Sequence, residues 1–75
     1  MSIEERVKKI LIGIGIGENE ITPKKTLRDQ LGVDSAEMVE IVVALEKEFN
    51  IKFPAEKVGE LKTVQDIINF VEGKE

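Results

Sequence analysis

The chain contains neither cysteine nor histidine, and that double absence limits its fold more than any other feature. Without a disulfide or a thiolate–metal staple, its 75 residues must hold together through one apolar core. A chain this short buries only about 60% of the surface its unfolded form exposes. The same absence limits its chemistry. There is no thiolate nucleophile, no imidazole base at neutral pH, and neither of the commonest metal ligands. A catalytic triad cannot be assembled. Enzymatic chemistry would rest on carboxylates, lysines and hydroxyls alone.

Apolar spacing then predicts an all-α chain. Ser2 and Glu5 form a capping-box pair. Behind them Ile3, Val7, Ile10, Leu11 and Ile14 fall on one helical face. Residues 12 to 17 alternate Ile and Gly, a period that would suit a strand. No second strand is in evidence, and the run reads as the fraying end of the helix passing into loop. Gly13, Gly15 and Gly17 lack a preceding strand and the spacing of a phosphate-binding loop. A long connection follows over residues 15 to 33, with Leu27 and Leu31 expected to enter the core from a short turn of helix. Asp34 is an N-cap for the second helix, with Glu37 three residues on. Its apolar positions are read as Val39, Val42, Val43, Leu45 and Phe49, with Met38 and Ile41 at the edges, and Asn50 ends it. Pro54 suits the first turn of a short helix reaching Val58, with Gly59 as its stop. Thr63 caps the last helix, with Asp66 at its third position. The core face there is Val64, Ile67, Ile68 and Val71, with Phe70 beside it, and Gly73 ends the helix. The expectation is a four-helix bundle of three main helices and one short one, with a long first loop, forming a single domain over residues 1–75.

The net charge of −4 is unevenly placed. Asp34, Glu37, Glu40, Glu46 and Glu48 face one cation, Lys47, and the rest of the chain balances to neutrality. An acidic segment of this kind is either a solvated helix face or a docking surface that steers basic partners. It disfavours nucleic acid, as do three phenylalanines without tyrosine or tryptophan. No stretch has the length of a membrane span, and the N-terminus has no signal-peptide pattern. The expected setting is cytoplasmic and the expected state a monomer.

Asp34-Ser35 is where chemistry could attach. A hydroxyl at a helix start is reachable from solvent, and a phosphate ester there would meet free backbone amides and the positive end of the helix dipole. Most serines at such positions are structural, so spacing alone leaves both readings open.

The stretch Leu31-Gly32-Val33-Asp34-Ser35-Ala36-Glu37-Met38-Val39-Glu40 resembles the modification site of the bacterial type II acyl carrier proteins, which carry an L-G-x-D-S-L core ahead of an acidic helix. Ile3-Glu4-Glu5-Arg6-Val7-Lys8-Lys9-Ile10, Ala44-Leu45-Glu46-Lys47-Glu48-Phe49, Pro54 and Thr63-Val64-Gln65-Asp66 resemble the family's other landmarks, in order. The resemblance implies a non-enzymatic carrier. Ser35 would receive 4′-phosphopantetheine from coenzyme A through a magnesium-dependent phosphopantetheinyl transferase. The arm would bring the thiol that the chain lacks and shuttle acyl thioesters among enzymes of fatty acid, specialised lipid or polyketide synthesis. Asp34, Ala36, Glu37, Met38, Glu40 and Glu46 would form the docking surface for the transferase, acyltransferases and synthases, through their basic patches. Leu27, Val42, Leu45, Phe53, Leu61, Ile67 and Phe70 would wall an acyl pocket, with Phe53 and Ile67 bulkier than is common in the family. Three departures stand out: Ala36 where leucine is usual, Lys47 where an acid is common, and the glycines that loosen the first helix's end. The alternative is an acidic helical interaction module with no prosthetic group, using the same helix to bind a basic partner, with Ser35 only a cap. A small acid/base enzyme is a remote third reading, because carboxylates on an open helix face lack a cavity to shift their pKa values.

Overall fold

Three reciprocal caps set the main helices. In the computed structural model, which describes residues 1–73, Ser2 Oγ accepts from the Glu5 amide and the Glu5 carboxylate accepts from the Ser2 amide. Asp34 with Glu37, and Thr63 with Asp66, repeat the arrangement. Each box satisfies two amides that a helix start otherwise leaves open. The resulting helices are α1 (Ile3–Gly13), α2 (Ser35–Phe49), the short α3 (Ala55–Val58) and α4 (Val64–Glu72). The backbone bond from Ser2, ahead of the Ser2 hydroxyl, holds the Glu5 carboxyl below the ordinary carboxylate range. Its contribution to folding is complete above that ordinary range and is lost as pH falls through the lowered value.

The end of α1 is a defined stop. The Ile16 amide bonds the Leu11 carbonyl and the Gly15 amide bonds the Ile12 carbonyl, a Schellman motif that needs the left-handed residue Gly15, at φ 107°. The glycine run therefore terminates the helix in a fixed turn rather than loosening it. Ile14 and Ile16 pack against the core. The alternation of Ile and Gly serves a helix stop and its return, which the strand-like period had obscured.

The long connection contains a 3-10 turn, Glu18–Glu20, that the sequence pattern does not signal. Residues 27–31 form a single turn and no helix. Thr26 and Gln30 close it, Thr26 donating its amide to the Gln30 side chain and the Gln30 amide bonding the Thr26 hydroxyl. Leu27 is fully buried and Leu31 half-buried. The connection is tied across the molecule where the Leu27 amide donates to the Lys62 carbonyl at 2.8 Å and Thr26 bridges Thr63. The Val33 amide donates to the Leu27 carbonyl at 2.9 Å, which fixes the approach to α2.

The buried face of α2 differs in phase from the one expected. Met38, Ile41 and Leu45 are buried, with Val42 and Phe49 packed at the edge. Val39 and Val43 are 61% and 43% exposed. The helix is apolar on several sides, so spacing alone admits two stripes. The neighbours decide: α2 meets α1, and the core cluster joins its Met38, Ile41 and Leu45 to Leu27, Leu61 and Ile67.

Glu46 ends α2 twice over. Its backbone carbonyl accepts from the amides of Asn50 and Ile51, and its carboxylate accepts from the Phe53 amide at 2.8 Å. Asn50 takes the left-handed conformation between them. Beside this turn Arg6 reaches from α1, pairing with the Glu48 carboxylate at 2.8 Å, bonding the Glu48 carbonyl, and lying over the Phe49 ring. Glu46→Ala leaves the part-buried Phe53 amide without its charged acceptor, and should cost about 1–3 kcal/mol in urea unfolding. No loss would mean that water replaces the carboxylate freely.

Candidate functional site

Ser35 is the first residue of α2 and its side chain is exposed. Asp34 ahead of it caps the helix through the Glu37 amide, so the hydroxyl of Ser35 is not spent on capping. The Met38 amide is taken by the Asp34 carbonyl. The amides of Ser35 and Ala36 have no protein acceptor among the described hydrogen bonds. Two open amides at the positive end of a fifteen-residue helix suit the oxygens of a phosphodiester on Ser35 Oγ. The carboxylates of Asp34 and Glu37 stand beside the same point and repel a free anion. A phosphate group fits here as an ester held by its covalent bond, with the amides offsetting the neighbouring charge. With no cysteine in the chain, a thiol would come from what is attached.

The six residues expected to dock partners do not share one face. Asp34, Ala36 and Glu40 are exposed. Glu37 is half-buried, with its carboxylate bonded to the Asp34 amide. Met38 is 3% exposed and belongs to the core, a correction that follows from the phase of α2. Glu46 is turned to the Phe53 amide. Of the five carboxylates between Asp34 and Glu48, Glu40 alone has no hydrogen bond or ion pair among the described residues. Ala36, Val39, Glu40, Val43 and Lys47 then recur at helical spacing along one exposed face. The apolar pattern of the sequence alone puts Val39 and Val43 on the core face. Their three- and four-residue offsets from Ala36 and Glu40 were the available signal that they belong to the outer face.

Of the expected acyl-pocket residues, Leu27, Leu45, Phe53, Leu61 and Ile67 are buried. Val42 and Phe70 are half-buried against them. Phe53 and Phe70 stack at 4.1 Å between ring centres. A surface cleft of about 450 Å3 is lined by Thr26, Arg28, Asp29, Met38, Val58, Gly59, Leu61 and Lys62. It shares only Leu61 with the expected pocket, and it reaches α2 at Met38, one turn beyond Ser35. A second groove of about 350 Å3, floored by Ile21, Val64 and Ile68, lies between the starts of α1 and α4 and includes none of these site residues.

Among the described residues no cluster of carboxylates gathers to hold a metal ion, and no helix is long and apolar enough to cross a membrane. A family model described as a phosphopantetheine attachment site matches residues 5–71. That span takes in α2, α3 and nearly all of α1 and α4.

Proposed function

The chain belongs to the family of acyl-carrier-type domains defined by a phosphopantetheine attachment site, and on that premise we propose that Ser35 is the residue that takes the arm. The family consists of non-catalytic carriers on which 4′-phosphopantetheine is covalently attached. Membership sets aside the interaction module without a prosthetic group. The observation that carries the assignment to Ser35 is its place at the head of α2, exposed, with two unoccupied amides beside it and the capping duty already met by Asp34. The attached arm supplies a thiol that holds acyl groups as thioesters.

What this chain's own residues do follows from their positions. Asp34 and Glu37 fix the start of α2 and so the place of the hydroxyl. Gly32, at φ 72°, turns the backbone into that start. The exposed face of Ala36, Val39, Glu40 and Val43 meets the transferase, acyltransferases and synthases, with the segment's negative field drawing their basic patches in. Weak contacts after a long-range attraction suit a shuttle that leaves each enzyme quickly. Ala36 in place of a larger residue makes the apolar part of this contact small, and Lys47 at the far end of the face limits the acidic part to its first half. Both features depart from the family's usual docking face, and the enzymes served are those of fatty acid synthesis or of a specialised lipid or polyketide route. The reading places the cargo exchange in the cytoplasm.

Glu40→Lys tests the docking face without disturbing a cap. Transfer of an acyl group from a partner acyltransferase should slow several-fold at low salt, and the deficit should shrink as salt rises. Glu4→Lys, on an exposed position of α1, is the control. Equal rates for Glu40→Lys and the parent at low salt would remove the electrostatic part of the reading.

A further inference from the structure

The cleft beside Met38 carries a charge that a hydrocarbon cargo would not use. Met38 and Leu61 supply apolar wall, and Arg28 and Lys62 stand on the same lining. These two cations lie far apart in sequence. The hydrogen bond from the Leu27 amide to the Lys62 carbonyl and the Thr26–Thr63 bridge bring their segments together. Neither side chain makes an ion pair among the described residues, the described pairs being Arg6 with Glu48 and Lys57 with Glu60. Asp29, on the same lining, pairs with neither. Both cations are exposed.

We propose that this cleft receives acyl groups that end in an anion, the alkyl part lying on Met38 and Leu61 and the terminal carboxylate meeting Arg28 and Lys62. The proposal rests on Ser35 as the anchor. Met38 is three residues further along α2, a rise of about 4.5 Å along the axis, so the cleft lies within reach of cargo on an arm anchored at Ser35. An alkyl terminus gains nothing from two unpaired cations. A carboxylate gains charge-assisted contacts there while its outer oxygens stay hydrated, so it avoids the desolvation cost of a buried ion pair.

The test compares two cargoes of one length. Octanoyl and octanedioyl groups are loaded from their coenzyme A thioesters by a permissive pantetheinyl transferase, and loading is read as intact mass. Thermal unfolding is then followed at low and high salt for the parent, for the double variant Arg28→Gln, Lys62→Gln, and for Arg28→Lys. The double variant should lose about 2–5 °C of the octanedioyl-minus-octanoyl difference seen in the parent, as weak exposed ion pairs in a small domain would give. High salt should remove the same difference, and Arg28→Lys should retain it. An unchanged difference in the double variant overturns the proposal. A double variant that shifts the unacylated, arm-bearing chain as much as the octanedioyl-loaded one also overturns it, because the cations would then be serving the phosphodiester. Failure of the parent to gain mass at Ser35 overturns the anchor reading itself, and the proposal falls with it.

Discussion

Ser35→Ala should leave the chain folded and unable to take the phosphopantetheine arm. Two separate facts lead to this result. The hydroxyl is exposed and makes no described hydrogen bond, and the cap of α2 is supplied by Asp34 through the Glu37 amide at 2.8 Å. Alanine also favours helix over serine, so stability should change by no more than about 0.5 kcal/mol. Loading, in contrast, should vanish, because no other hydroxyl stands at the head of α2. Urea unfolding beside intact mass separates the two effects. A variant that unfolds early would show that the serine is structural, and a variant that still gains the arm would move the anchor elsewhere.

Ile67→Ala should produce the largest loss of stability among the substitutions considered. Ile67 is fully buried in α4, in the cluster that joins Leu27, Leu45 and Leu61. Removing its branched side chain should cost about 2–5 kcal/mol. A chain of this size has only roughly 4–11 kcal/mol in total. The unfolding temperature should fall by about 10 °C or more. The same substitution opens space where an acyl chain would enter the bundle. In the parent, Ile67 and the stacked Phe53 and Phe70 rings fill that interior, so stabilisation by a loaded acyl series should level off early in chain length. In Ile67→Ala the plateau should move to longer chains. Stabilisation that keeps rising to long chains in the parent would contradict the bulky-wall argument.

The sequence announces its helix ends because capping is local. Ser2 with Glu5, Asp34 with Glu37 and Thr63 with Asp66 each act across one turn, as do the left-handed stops at Asn50 and Gly73. Asp34-Ser35 is legible as a helix start for the same reason, whereas the choice of Ser35 as anchor comes from the resemblance of residues 31–40 to the family's modification site. The phase of α2 is less legible. Met38, Val39, Ile41, Val42, Val43 and Leu45 surround much of its circumference, and only the neighbours tell which of them face inward. The consequences reach the site, moving Met38 from the docking surface to the cleft and putting Val39 and Val43 in solvent. The role of Glu46 was hidden because its acceptor function depends on how the chain turns after Asn50. The Arg6 contact with Glu48 spans 42 positions, and the tie between Leu27 and Lys62 is likewise formed only by the fold. Local pattern carries no record of either.

The acidic segment shows how structure narrows a compositional signal. Five carboxylates over a short stretch suggest a uniform binding surface. Four of them are occupied, two in the cap of α2, one on the Phe53 amide and one on Arg6. Their charges still contribute to the long-range field, whereas on the proposed docking face direct contact with a partner would fall chiefly to Glu40. Encounter and contact are therefore separable in mutants, the first responding to any charge in the segment and the second to Glu40 with its apolar neighbours Val39 and Val43.

The central claim is that Ser35 carries the arm. Intact mass of the parent and of Ser35→Ala, after incubation with coenzyme A, magnesium and a broad-specificity pantetheinyl transferase, tests it most directly. The account predicts that the parent gains the mass of one phosphopantetheine group, that fragmentation places it on the peptide containing Ser35, and that Ser35→Ala gains nothing. A parent that stays at its unmodified mass, or a modified peptide without Ser35, would contradict it.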